Sequence, residues 1–106
     1  MNTSTNKYDA IENLIFSEGL KIKMLALSPD QSNVYIYLSH DLKLVIPVTF
    51  YKGLRNATPN QIKNYILLPS GTGIHWPELD EDLSLKGFLK EYLHQMVKSE
   101  KELAIK

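Results

Sequence analysis

Apolar and polar positions follow their most regular pattern near the end of the chain. From residue 85 to residue 97 the apolar side chains return every three or four positions, which is the spacing of one helix face. This pattern predicts a long C-terminal helix, for which Ser84 or Asp82 can serve as the cap. The apolar positions that define the helix are Leu85, Phe88, Leu89, Tyr92, Leu93, Met96 and Val97.

A two-residue alternation predicts strands in the first half of the chain. Residues 20–27 alternate across two faces, and residues 34–38 are β-branched and aromatic. Residues 42–48 return as a third strand, and Pro47 indicates that this strand lies at an edge. Because the links are short and rich in turn residues, an antiparallel meander is expected.

Two further helices are indicated by the residues at their ends. Apolar residues at helical spacing begin at Tyr8, and Gly19 would close that helix. Thr58 and Gln61 form the two halves of a capping box. Pro59 lies between them and suits the first position of a helix, which is predicted to be short.

Together these elements predict an α+β fold in a single domain over residues 1–106. A three- to four-stranded, mainly antiparallel sheet is expected to pack against a short helix and a long C-terminal helix, with residues 74–76 as a short strand. We divide the chain into a tail and N-terminal helical extension at 1–18, a core at 20–89 and an extension of the C-terminal helix at 90–106.

Composition narrows the functional classes. Twelve Lys and Arg balance twelve Asp and Glu, whereas nucleic-acid binders usually carry a basic excess, so strong nucleic-acid binding is not expected. The chain has no cysteine, which excludes disulfides and thiolate metal sites. The first residues are polar and the apolar runs are short, so we expect a cytoplasmic protein that does not bind membranes.

Residues 73–82, which we call the acidic segment, concentrate the distinctive side chains. They include the one tryptophan, Trp76, and four acidic residues without a basic one. As a binding loop, the segment would use Trp76 as an anchor and its carboxylates to attract a basic partner. As architecture, His75 and Trp76 would seal the edge of the core and the carboxylates would cap the long helix. We favour the architectural interpretation because carboxylates are common at helix starts.

Arg55 is a candidate of a different kind. A lone guanidinium can clamp a phosphate or a carboxylate, although an ion pair within the protein is the commoner role. In the acidic segment we expect Trp76 and Asp82 to be structural and Glu78 and Glu81 to be exposed for a partner. The candidate binding residues are Arg55, His75, Trp76, Glu78, Asp80, Glu81 and Asp82.

Catalytic and metal sites find little support in the sequence. His75 with Asp80 and Asp82 offers imidazole and oxygen ligands. However, His40 and His94 fall on other predicted elements, and no nucleophile lies beside a base. We therefore expect no enzyme activity, no metal and no cofactor.

Tyr35 and Tyr37 share one face of a predicted strand. If the first two strands pair, Lys21 and Lys23 lie beside them, and the four side chains would offer a stacking surface for nucleic acid. Such aromatic residues more often pack under a helix, and we expect the C-terminal helix to cover them.

Two stretches of the chain resemble a small bacterial family that is classed as a domain of unknown function. The acidic segment reads Gly-Ile-His-Trp-Pro-Glu-Leu-Asp-Glu-Asp, which is similar to the family motif Gly-Ile-His-Trp-Pro-x-Leu-Asp-Glu-Asp. Residues 54–65 resemble its second conserved stretch, and the whole resemblance covers about residues 20–89. Residues 51–52 depart from the family, which often carries an aromatic residue followed by proline there.

The resemblance also carries functional implications. Genes of this family often lie beside small partner genes in arrangements that look like toxin–antitoxin pairs, and some members are fused to a helix-turn-helix. This implies a non-enzymatic, antitoxin-like module that binds a small toxin-like protein. A DNA-binding transcriptional regulator is the alternative, followed by a small hydrolase or nuclease. The helix beyond residue 89 keeps an apolar stripe, which we expect a second copy to cover in a homodimer.

Overall fold

The computed structural model describes the backbone of residues 9–105 and the side chains of residues 9–98. It contains two three-stranded antiparallel sheets, a short helix and a long C-terminal helix, which confirms the α+β class. The predicted start of the first helix at Tyr8 lies outside the described residues. In chain order the elements are α1 (Ala10–Phe16), β1 (Ile22–Leu27), β2 (Asn33–Leu38), β3 (Lys43–Pro47), α2 (Pro59–Lys63), β4 (Ile66–Leu67), β5 (Gly73–Trp76), β6 (Glu81–Ser84) and α3 (Leu85–Ile105).

The first sheet is the predicted meander, in the order β1-β2-β3. The central strand β2 buries every second side chain, as the alternation predicts. In β1 the register shifts between Ile22 and Met24, which is a bulge. Because of this bulge, Ile22 and Leu25 are both buried although they are three positions apart, and Met24 is exposed.

The prediction that the C-terminal helix covers Tyr35 and Tyr37 is wrong. The β-branched residues Val34 and Ile36 occupy the buried face of β2, so the two tyrosines lie on the opposite, outer face and are only half-buried. Their rings meet edge to face at 6.4 Å, and the Nζ of Lys43 lies 4.4 Å from the centre of the Tyr35 ring. This cation–π contact takes the place of helix packing.

The second sheet has the order β4-β5-β6, so the strands divide between two sheets instead of extending one. Strand β6 was not predicted, because its residues were assigned to the acidic run before the long helix. In β6 Asp82 pairs with His75 and Glu81 pairs with Trp76 across the ladder to β5. Asp80, in the connection between these two strands, has a φ of 49°, in the left-handed region that Asp adopts more readily than most residues.

The helix ends are set by side chains close to them in sequence. Thr58 and Gln61 form the predicted capping box at the start of α2. At the start of α3 the Oγ of Ser84 accepts a hydrogen bond of 2.9 Å from the amide of Gly87, so Ser84 acts as the cap. The alternative cap, Asp82, is wrong, because β6 continues to Ser84 and the helix begins two residues later than that cap requires.

A hydrophobic core joins the first sheet, the second sheet and the first turns of α3. Helix α1 is fastened beside α3 by Lys86, whose Nζ lies 2.8 Å from Glu12 Oε2 and 3.4 Å from Asp9 Oδ2. The largest side chains that are almost fully buried are Trp76, Phe88, Ile36, Leu54, Ile74, Leu85 and Val34. Burial of each contributes about 1.5–3 kcal/mol to the free energy of unfolding. No helix in the described part of the chain is long and apolar enough to cross a membrane.

Candidate functional site

Trp76, the predicted anchor of the acidic segment, is a core residue. It is 0% exposed, and its Nε1 donates a hydrogen bond of 2.8 Å to the main-chain carbonyl of Ile62 in α2. A side chain that is enclosed on all sides offers a partner no surface. The architectural interpretation of Trp76 is therefore confirmed.

His75 and Asp82 are brought together by the pairing of β5 with β6. They are opposite each other in the ladder, and the Nδ1 of His75 contacts Oδ1 of Asp82. The side chain of Asp82 is 71% exposed, so this pair stabilises the fold by at most about 1 kcal/mol. The role of Asp82 is thus a cross-strand contact.

The other three carboxylates of the acidic segment have three different surroundings. Glu78 is exposed, as expected, and its Oε2 accepts a hydrogen bond of 2.7 Å from Nδ2 of Asn64. Asp80 is exposed in the β5–β6 connection. Glu81 is not the exposed residue that was expected, because it is half-buried and its carboxylate lies against Gly53, where an added Cβ would overlap it. Glu81 thus contacts the segment between β3 and α2 that contains Gly53.

The acidic segment therefore presents a small, dispersed set of charges. Within residues 9–98, no three His, Asp or Glu side chains come together in an arrangement that would hold a metal ion. His75 and Asp82 form a pair, whereas Asp80 lies in the turn beyond it. Of the predicted ligand set, the structure brings together two members and leaves out the third.

Arg55 lies in a groove that the sequence did not indicate. Its Nε donates a hydrogen bond of 2.9 Å to the carbonyl of Thr49. Among the described residues no carboxylate lies within ion-pair distance of its guanidinium, so the expected ion pair is not formed there. The groove has a volume of about 510 Å³. Its lining residues are Leu27, Gln31, Ser32, Asn33, Pro47, Val48, Thr49, Arg55, Ala57, Pro59 and Ile62.

The apolar face of α3 leaves the core partway along the helix. Leu85 and Phe88 are buried, and Tyr92 is half-buried. The next apolar residues on the same face, Leu93, Met96 and Val97, are 48%, 54% and 60% exposed. We call these three residues the α3 stripe.

Tyr51 carries the one buried side-chain polar atom without a hydrogen-bond partner among the described residues. Its ring packs edge to face on Phe50 and on Phe88, at 5.2 and 5.3 Å between ring centres. Burial, together with the charge of Glu91, raises the pKa of Tyr51 well above its ordinary value. The hydroxyl therefore stays protonated, and its surroundings are those of a core residue.

Comparison with known proteins places the chain in a family. Its structure is similar to that of a protein of unknown function from Rhodospirillum rubrum, at 26% identity and a TM-score of 0.62, over 68% of this chain and 87% of that one. It is also similar to an uncharacterised protein from Chromobacterium violaceum, at 25% identity and a TM-score of 0.63, over 85% of each chain. None of the curated proteins matches. The family described as "Protein of unknown function (DUF2442)" matches residues 26–94, well over half of the sequence, and this chain belongs to that family.

Proposed function

We propose that this chain is a non-enzymatic protein-binding module that contacts its partner through the α3 stripe. The observation that carries the proposal is the exposure of Leu93, Met96 and Val97, each close to or above one half. These residues continue the helix face that places Leu85 and Phe88 in the core. An apolar surface of this kind, rimmed by polar residues, is typical of a site for another protein.

The charges around the stripe favour a protein over a nucleic acid. Lys90 and Lys98 are exposed on the same helix, and so is Glu91, which follows Lys90. Binding to a phosphate backbone depends on a surface with a clear excess of positive charge, because each phosphate that Lys or Arg neutralises releases counterions. A mixture of signs around an apolar centre resembles the rim of a protein interface instead.

A second copy of the chain is the partner that we propose first. Two copies of α3 related by a two-fold axis would cover both stripes at once, since a two-fold dimer is the commonest closed arrangement. The net charge of zero lowers the repulsion between two such copies. The family resemblance adds an antitoxin-like role, in which a small toxin-like protein binds the same stripe.

The oligomeric state of two matched variants, measured by light scattering, tests whether the α3 stripe binds a second copy. Met96→Glu places a charge in the α3 stripe, whereas Gln95→Glu places it at an exposed position about 150° around the helix from the mean direction of the three stripe residues. At tens of micromolar protein we expect the wild type and Gln95→Glu to be dimers and Met96→Glu to be a folded monomer.

If the wild type is a monomer, the proposed dimer is wrong, and the partner must be a different protein. The same three proteins would then be used for co-purification from the native host, followed by mass spectrometry. A protein that is retained by the wild type and by Gln95→Glu but not by Met96→Glu supports a hetero-partner at the stripe. Absence of both a dimer and such a protein would overturn the protein-binding function.

A further inference from the structure

The groove that contains Arg55 lies between one end of the first sheet and α2, away from the α3 stripe. Its volume of about 510 Å³ is within the range of pockets that hold small molecules. The apolar part of the lining includes Leu27, Val48 and Ile62, and the polar part includes Ser32 and Asn33. An occupant would therefore need both an apolar body and a polar group.

Arg55 supplies the charge in this groove. A guanidinium has five N–H donors, and the Nε–H of Arg55 is used by the carbonyl of Thr49 at 2.9 Å. That bond fixes the position of the guanidinium while the four N–H groups of its terminal nitrogens remain for a ligand. With no described carboxylate within ion-pair distance, its charge is not neutralised within the described part of the protein.

The single positive charge in the groove favours a ligand that carries a single negative charge. Arg55 is the one ionisable side chain among the lining residues, so a bound carboxylate would be balanced by one positive charge. A phosphate group would bring up to two negative charges to that single cation. A planar carboxylate, in addition, matches the two parallel N–H groups that a guanidinium presents.

We propose that this groove binds a carboxylate that carries a short apolar body. The guanidinium of Arg55 holds the carboxylate, and Leu27, Val48 and Ile62 cover the body. A free organic acid and the C-terminal carboxylate of a peptide share this chemistry. The proposal does not depend on the α3 stripe, because none of the lining residues belongs to α3.

Titration of the isotope-labelled protein, followed by nuclear magnetic resonance, tests the proposal with matched ligands. Hexanoate is compared with hexanamide, which has the same body without the charge. Acetyl-alanyl-leucine with a free carboxylate is compared with its C-terminal amide. We expect the two acids to shift the Arg55 Nε–H signal and the amides of Ser32 and Thr49, and to bind at least about tenfold more tightly than the two neutral compounds. If hexanoate binds more tightly, the ligand is a free organic acid; if the peptide acid binds more tightly, the ligand is the C-terminus of a peptide.

Substitutions at Arg55 provide the second half of the test. Arg55→Gln should weaken hexanoate binding at least about tenfold, and Arg55→Lys should weaken it less because the charge remains without the planar fork. Lys52→Gln, which removes a nearby exposed charge outside the lining, should leave binding unchanged.

Two results would overturn the proposal. One is equal binding of acid and amide by the wild type, or no shift in the groove at millimolar acid. The other is hexanoate binding by a folded Arg55→Gln protein that matches the wild type. If Arg55→Gln does not fold, the comparison of acid with amide on the wild type alone tests whether the groove binds a carboxylate.

Discussion

The indole Nε1 of Trp76 donates a hydrogen bond of 2.8 Å to the main-chain carbonyl of Ile62. Trp76 lies in β5 and is 0% exposed, and Ile62 lies in α2 and is 2% exposed. The bond satisfies a carbonyl in the last turn of a short helix, where no intrahelical partner remains. It therefore fastens α2 to the second sheet at a place that water does not reach.

Two substitutions of Trp76 should lower the free energy of unfolding by different amounts. Trp76→Phe keeps an aromatic ring but leaves the Ile62 carbonyl buried without a donor, and we expect a cost of about 1–3 kcal/mol. Trp76→Ala also empties the ring's volume, and we expect about 3–5 kcal/mol. Urea unfolding measures both. A Trp76→Ala protein that unfolds like the wild type but loses its partner would instead show that Trp76 is a binding residue.

Gly19 and Gly71 both have left-handed backbone conformations, but only Gly71 lacks room for a Cβ. Alanine substitutions at the two positions therefore distinguish the cost of backbone strain from the cost of steric overlap. Gly19 has a φ of +78° and open space where a Cβ would be, whereas Gly71 has a φ of +65° and the carbonyl oxygen of Ile22 only 2.6 Å from that position. Gly19→Ala should cost about 1 kcal/mol, the strain of a left-handed residue.

Gly71→Ala should cost more than Gly19→Ala, because the main chain of β1 must also move. Overpacking of this kind adds about 1–3 kcal/mol. Chemical unfolding of both variants gives the difference directly. Equal losses of stability would mean that Gly71 and Ile22 are farther apart in solution than in this structure.

The parts of the fold that depend on near neighbours could be predicted from the sequence. The capping box of Thr58 and Gln61 and the spacing of α3 involve residues three or four positions apart. The meander also follows from alternation and short turns. In each case the residues that determine the structure lie in one continuous stretch of chain, so their pattern is visible before folding.

The parts that were missed depend on residues distant in sequence. Strand β6 is acidic and has little intrinsic strand preference, and it forms because β5 pairs with it. The half-buried state of Glu81 arises from Gly53 in another loop. The Arg55 groove likewise combines the ends of β1 and β3 with α2, and the lone arginine was its one signal in the sequence.

The hydroxyls of Tyr51 and Tyr65 predict stability changes of opposite sign. The hydroxyl of Tyr51 has no partner among the described residues, whereas the hydroxyl of Tyr65 accepts a hydrogen bond of 3.0 Å from the amide of Leu25. Tyr51→Phe removes a desolvated group and should raise the free energy of unfolding by up to about 1 kcal/mol. Tyr65→Phe leaves the Leu25 amide unpaired and should lower it by about 1–3 kcal/mol.

Thermal or urea unfolding of both Tyr→Phe variants checks the pair, since each loses one oxygen atom and nothing else. Destabilisation by Tyr51→Phe would indicate that an ordered water or a residue outside the described ones binds its hydroxyl. No change in Tyr65→Phe would show that the contact with β1 contributes little.

The turn between β1 and β2 predicts a loss of stability in acid. Oδ1 of Asp30 accepts hydrogen bonds from the hydroxyls of Ser32 and Ser28, each at 2.7 Å, and from the amide of Ser32 at 3.0 Å. These bonds, with that of the Ser32 hydroxyl the strongest, lower the pKa of Asp30 from 3.8 to about 2. Because the pKa in the folded state is below that in the unfolded state, the stabilisation is present above pH 3.8 and is lost as the pH falls toward 2.

Asp30→Asn should remove this pH dependence. The difference in free energy of unfolding between the wild type and the variant is expected to be largest near neutral pH and to close as the pH falls from 3.8 to about 2. Urea unfolding at a series of pH values measures it. Glu18→Gln removes an equal charge from an exposed position and reports the effect of net charge alone. A difference between the wild type and Asp30→Asn that stays constant across this range would show that the three hydrogen bonds do not depend on the charge of Asp30.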